Sequence, residues 1–185
     1  MLILKSFIEH DGLVNIELGV LSTHYNIREI FTGVMPMYQR QAILISMWAL
    51  YECELTNYYS HIASVLGRNT DLPKKGRMRI SQFTHIINSF KHFGCLGEES
   101  ENFTQATERL NGEVRLIRNA WAHNGGKLKN NDVVDGIDGV LISTGQVSLS
   151  VNYIKLVSEL MALVTNELSD SVVEIVEHHK SAKSN

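Results

Sequence analysis

Proline is nearly missing: Pro36 and Pro73 are the only two in 185 residues, against an average usage of roughly 5%. A chain so poor in the residue that breaks helices is suited to long ones. Cysteine is as scarce. Cys53 and Cys95 alone cannot build the disulfide framework of a small secreted domain, so a reducing, cytoplasmic setting is expected. Long apolar runs are missing too. The longest aliphatic stretch, Ala42 to Ile45, falls far short of the ~18–20 residues a spanning helix needs. Met1-Leu-Ile-Leu4 is followed at once by Lys5, which leaves no room for the apolar core of an export signal. Nor is charge of one sign in excess: 17 Lys and Arg against 20 Asp and Glu give a net −3. That excludes a uniformly basic, histone-like binder of nucleic acid and leaves room only for a local patch. No HExxH spacing and no glycine-rich phosphate loop occur, so neither a metal nor a nucleotide cofactor is expected.

What is present suits one globular domain over residues 1–185, with 44% hydrophobic and 20% charged residues. The middle of the chain is helical by period. Leu44, Trp48, Tyr51, Leu55, Tyr58, Ile62 and Leu66 step by three and four, and Gly67 closes the stripe. After a loop from Arg68 to Gly76, a second helix is expected to carry Ile80, Phe83, Ile86, Phe90 and Phe93 before Gly94. A third is expected to begin at the N-cap Ser100 and to carry Phe103, Ala106, Leu110, Val114, Ile117 and Trp121, with Gly125-Gly126 closing it. Then the period changes to two: Val140-Leu141-Ile142, a Ser143-Thr144-Gly145 turn and the alternating Val147, Leu149 and Val151 read as a β-hairpin near 140–151. A long amphipathic helix with Ile154, Val157, Met161, Val164, Leu168 and Ile175 ends the chain. Residues 1–37 carry no clean period; one or two short helices are expected there, with Pro36 opening or kinking the long helix. The fold class is therefore mainly α, a bundle of four to six helices with one small hairpin.

Most polar features have plain structural readings. Cys53 falls on the far side of its helix from the main stripe, where a second packed face is expected. His178-His179 with Glu174 and Glu177 suit the solvated end of the last helix. One run stands out: Arg68, Lys74, Lys75, Arg77 and Arg79 hold 5 of the 17 basic residues and are opposed only by Asp71. Lys74, Lys75 and Arg77 are the candidates for tracking a phosphate backbone.

The sharpest feature is Arg118-Asn119-Ala120-Trp121-Ala122-His123, followed by Asn124-Gly125-Gly126. With 8 Arg and 8 His in the chain, an arginine followed after four to six residues by a histidine is expected about once by accident, and Arg79 with His85 is a second match. Requiring Asn directly after the Arg lowers the chance expectation to about 0.08. This segment resembles the signature of the HEPN families, small helical bundles of which many are ribonucleases serving as toxins, antiviral effectors or RNA processors. The resemblance implies RNA as substrate, a metal-free site without cofactor shared across a homodimer, and, in some families, a nucleotidyltransferase-type antitoxin as partner.

The residue types fit that chemistry. RNA is cleaved when its own 2′-hydroxyl attacks the adjacent phosphate, which requires proton transfer and a cation for the charge that builds on phosphate oxygens. Histidine titrates near neutrality. Arginine is permanently charged and presents a planar fork to phosphate. Arg118, Asn119 and His123 are therefore the candidate catalytic set, with Asn119 orienting a partner or donating to the phosphate. On an unbroken helix Arg118 and His123 stand about 140° apart around the axis. Two remedies exist: Gly125-Gly126 unwinds the last turn and swings His123 round, or two chains combine Arg118 of one with His123 of the other. Helical phase also places Glu52 and Glu54 on opposite borders of the long helix's apolar face, each about 80° from its centre. Glu52 is the candidate for fixing the Arg118 guanidinium by a bidentate pair, and Glu54 is its control. The leading expectation is a metal-independent endoribonuclease acting as a homodimer. A non-catalytic RNA-, nucleotide- or protein-binding module of the same shape, and an unrelated bundle carrying the motif by accident, are the alternatives.

Overall fold

The computed structural model describes residues 27–75, 80–96, 99–129 and 136–183. Of the residues named above, Gly76, Arg77, Arg79 and the first twenty-six lie outside that set. The chain divides into two compact units, one up to Gln39 and one from Arg40 onward.

In the first unit, a helical turn at Ile27–Glu29 runs into a π-turn at Ile30–Val34, and helix α1, Met35–Val65, comes directly after it. Pro36 sits in the first turn of α1. Its ring nitrogen cannot donate to the preceding turn, and a widened turn just upstream accommodates that loss.

The second unit is a helical bundle with one two-stranded antiparallel sheet. Helix α1 buries Leu44, Trp48, Leu55, Tyr59 and Ile62, and ends where Gly67 takes φ +68°. Helix α2, Gln82–Lys91, is shorter at both ends than its apolar stripe suggests. The hydroxyl of Ser81 accepts the Thr84 N–H at 3.0 Å and caps it, so Ile80 stays outside. Gly94 at φ +84° turns the chain just after Phe93. Aromatic contacts join α2 to α1: Trp48 and Tyr51 meet Phe83, while Tyr58 and Tyr59 meet Phe90.

Helix α3, Glu101–Arg109, starts at the N-cap Ser100, whose hydroxyl accepts the Phe103 N–H. It does not run on as one regular helix to Gly125. A π-turn at Leu110–Val114, with Gly112 inside it, separates α3 from helix α4, Arg115–Asn124. The extra residue per turn rotates the later face. Leu110, Val114 and Ile117 stay fully buried, Ala120 joins them, and Trp121 moves to the margin of the core.

Strands β1, Val140–Ser143, and β2, Gln146–Leu149, pair with Ser143 opposite Gln146 and Val140 opposite Leu149. Thr144 at φ +51° and Gly145 at +77° form the two-residue turn, the left-handed pair whose twist suits a hairpin. Val147 and Leu149 enter the core, whereas Leu141 on β1 is 73% exposed. Val151 is not in the strand. Ser150 accepts the Tyr153 N–H on its hydroxyl at 3.1 Å and starts helix α5, Val151–Lys183, one residue before the alternation would have ended. Helix α5 buries Tyr153, Val157, Met161, Val164, Leu168 and Val172. It is held to α1 by the Tyr51 hydroxyl on the Met161 carbonyl at 3.1 Å, and to the start of α3 by Ser100 Oγ on Glu167 Oε1 at 2.6 Å. Among the described residues, no helix is long and apolar enough to cross a membrane.

Candidate functional site

Helix α4 lies against α1 so that Arg118 meets two residues one turn apart, Trp48 and Glu52. Trp48 is 1% exposed, and the Arg118 guanidinium carbon stands 5.4 Å from the centre of its ring. Arg118 Nη2 is 3.7 Å from Glu52 Oε2, and each of the two side chains keeps about one fifth of its surface in solvent, 20% and 19%. The two border positions face each other, but the expected bidentate fork does not form. There is one approach, and it is longer than a hydrogen bond. Arg118 Nε and Trp48 Nε1 are buried without a hydrogen-bond partner among the described residues. Burial lowers the Arg118 pKa from its ordinary value; the charge of Arg115 acts in the same direction and Glu52 opposes both. A guanidinium titrates so high that it stays charged regardless. The result is a permanent cation on an indole face, beside a carboxylate that does not grip it.

The C-terminal end of α4 is fastened by the hairpin. The helix stays regular through Asn124, and Gly125 at φ +59° closes it, with the N–H groups of Gly125 and Gly126 both directed to the Ala120 carbonyl. Val147 N–H donates to the Gly126 carbonyl at 3.0 Å and the Gln146 side chain to the Gly125 carbonyl at 2.9 Å. The Val147 carbonyl receives two donors in return, Trp121 Nε1 at 3.1 Å and Gln41 Nε2 at 3.4 Å. Strand β2 thus ties the glycine pair, the indole of Trp121 and helix α1 to one point.

His123 therefore remains on the helix. It is exposed, on the last turn, about 140° around the axis and about 7.5 Å along it from Arg118. The glycine pair does not unwind that turn, so the first of the two remedies is not the one taken: within one chain Arg118 and His123 point apart. Asn119 follows Arg118 in α4 and is half-buried.

The other candidates separate. Lys74 and Lys75 are exposed in the loop after α1, with Arg77 outside the described residues. Arg68, from the same basic run, is committed to structure: its Nη1 donates to the His92 carbonyl at 3.1 Å and its guanidinium lies 5.3 Å from the centre of the Phe93 ring. His85, the histidine of the second arginine–histidine match, is buried in α2. Cys53 is exposed rather than packed on a second face, because that side of α1 has no described neighbour covering it. Glu54 is exposed and lines a separate cleft of about 220 Å³ with Tyr51, Tyr58 and Thr165.

Sequence reasoning did not single out Trp48, Trp121 or β2 as parts of this site. Composition held a signal: the chain has two tryptophans, one four residues before Glu52 and the other three after Arg118.

Among the described residues no three of His, Cys, Asp and Glu gather where they could hold one metal ion. Compared with family models, with curated proteins and with solved structures, the chain finds no match.

Proposed function

We propose that this protein is a metal-independent endoribonuclease resembling the HEPN families, active as a homodimer in which Arg118 of one chain and His123 of the other address one phosphodiester. In this reading it works in the cytoplasm as a toxin or antiviral effector, held in check by an antitoxin or a nucleotidyltransferase-type partner. The observation that carries the proposal is the unequal treatment of the two motif residues. Arg118 is preorganised on Trp48 with part of its surface open. His123 stands exposed on the same helix and faces elsewhere. A cation held still in a low-dielectric setting is what stabilises charge on a phosphate in the transition state. A proton carrier turned outward from it is useful to a second molecule.

The same geometry favours one other reading. A single chain that separates its arginine from its histidine, and sets a carboxylate beside the arginine, is also suited to binding RNA or a nucleotide without cutting it. The test distinguishes them. RNA incubated with the purified chain in excess chelator should yield fragments ending in 2′,3′-cyclic phosphate, and His123→Ala should abolish them. Binding without fragments would favour the second reading.

A further inference from the structure

Cleavage through the 2′-hydroxyl moves two protons: one leaves the 2′-oxygen and one arrives at the departing 5′-oxygen. Arg118 carries neither, and His123 can occupy only one of the two positions at a time. The geometry of α1 and α4 supplies the missing group. Resting on the ribonuclease reading above, we propose that Glu52 is the general base of the reaction and His123 of the second chain its general acid.

Three observations separate Glu52 from the other carboxylates near α4. It is the one placed against Arg118, at 3.7 Å from Nη2. That distance is too long for a hydrogen bond, and its carboxylate accepts no hydrogen bond from a described residue, so its lone pairs are free to take a proton. Other acidic groups of the bundle are already engaged: Glu113 accepts from Arg109 at 2.8 Å, Glu167 accepts from Ser100 at 2.6 Å, and Glu99 pairs with Lys91. A residue whose task was to fix the guanidinium would close the fork. Glu52 instead stands beside it, and the 19% of its side chain left in solvent gives a ligand access.

The spacing suits one phosphodiester. A phosphate oxygen hydrogen-bonded to Arg118 Nη2 lies about 3 Å from it. The 2′-oxygen, carried on the ribose carbon next to the one that bears the bridging 3′-oxygen, then falls within reach of Glu52 Oε2. Among the described residues the charged group paired with Glu52 is Arg118 on α4, whose own charge is felt by Arg115; on α1 itself Glu54 occupies the opposite border. The step balances. Glu52 takes the proton of the 2′-hydroxyl as the 2′-oxygen–phosphorus bond forms, and the phosphorus–5′-oxygen bond breaks as His123 gives its proton to the leaving oxygen. The products are a 2′,3′-cyclic phosphate and a 5′-hydroxyl. Arg118 holds the phosphate oxygens throughout.

Two RNA substrates that differ in one atom test the assignment. In one the leaving atom is the normal 5′-oxygen; in the other it is sulfur, which departs as a thiolate and needs no acid. Wild-type protein should cut both in single-turnover assays. His123→Ala should fail on oxygen and recover on sulfur. Glu52→Gln should lose at least ~100-fold on both, because the nucleophile still has to be deprotonated. Glu52→Asp, which keeps a carboxylate on a shorter arm, should cut faster than Glu52→Gln, with circular dichroism confirming the fold of each variant. Glu54→Gln should match wild type on both. Cleavage of the sulfur substrate by Glu52→Gln within about 10-fold of wild type, or equal rates for the Gln and Asp variants, would overturn the base assignment and leave the ribonuclease reading standing. Failure of the wild type on both substrates would overturn that reading and this assignment together.

Discussion

Gly126 lays its backbone against the indole of Trp121 so closely that a Cβ at this position would overlap the ring. Its φ of +83° is also one that residues with side chains rarely adopt. Two penalties coincide at one residue, and the ring cannot retreat without breaking its bond to the Val147 carbonyl. Gly126→Ala should therefore destabilise the fold by about 2–4 kcal/mol. Gly125→Ala faces open space at φ +59° and should cost only about 1 kcal/mol. Urea denaturation of both variants, tracked by tryptophan fluorescence, measures the difference.

Trp48 carries a second, separable load. It is 1% exposed, touches Phe83 and lies beneath the Arg118 guanidinium. Trp48→Ala removes a large buried ring and should cost about 3–5 kcal/mol. Trp48→Phe keeps an aromatic face for the cation and should cost less. The midpoints of thermal unfolding should fall in that order.

Alkaline stability has an assignable cause. Burial pushes the Tyr51 hydroxyl from its ordinary value of 10.0 up to about 12, against a smaller downward pull from its contact with Thr165. Tyr153, with 1% of its surface exposed, is shifted in the same direction, with burial again the largest cause. A phenol whose pKa is raised by folding favours the native state fully below its unfolded value and loses that advantage as pH rises through its folded value. The tyrosine contribution to stability should be level below pH ~10 and fall between ~10 and ~12. In Tyr51→Phe that fall should be shallower, although the bond to the Met161 carbonyl is lost at every pH. Urea midpoints from pH 8 to 12 check the slope.

The exposed loop after α1 makes an electrostatic prediction. With a net charge of −3, RNA affinity must come from a concentrated patch. Lys74, Lys75 and Arg77 are the candidates within the basic run, whose first member, Arg68, is committed to His92 and Phe93. Replacing all three with Gln should weaken RNA binding and reduce the slope of log affinity against log salt by roughly 2. An unchanged slope would mark the run as a solvated loop.

Much of the fold is legible in the sequence because apolar spacing and capping residues agree over most of the chain. Ser100 caps where expected, Gly67 and Gly94 stop the chain in left-handed conformations, and the hairpin turns on Thr144-Gly145. The misses have local causes. The π-turn at Leu110–Val114 leaves the three-and-four spacing of apolar residues nearly intact, so periodicity cannot reveal it, yet it moves Ala120 inward and Trp121 to the margin. Val151 keeps the alternation of β2, and only the Ser150 cap shows that it belongs to a helix. At the candidate site, helical phase is enough to bring Glu52 toward Arg118. The role of β2 is not legible that way, because the hydrogen bonds from the Gln146 side chain and the Val147 N–H to the glycine pair join segments about twenty residues apart, and their acceptors are backbone carbonyls common to every residue.

Under the proposed function, one working site draws Arg118 and His123 from different chains. Arg118→Ala and His123→Ala, each expected to lie within about 1 kcal/mol of wild-type stability, should each be inactive on RNA in excess chelator. Arg118→Lys should fail as well, since a point charge cannot reproduce the guanidinium fork. The decisive assay mixes the two inactive alanine variants, exchanges their subunits and measures RNA cleavage. Activity should return, with one intact site in each mixed dimer. Full activity in either single variant, or no recovery from a mixture shown to contain mixed dimers, would refute the shared site.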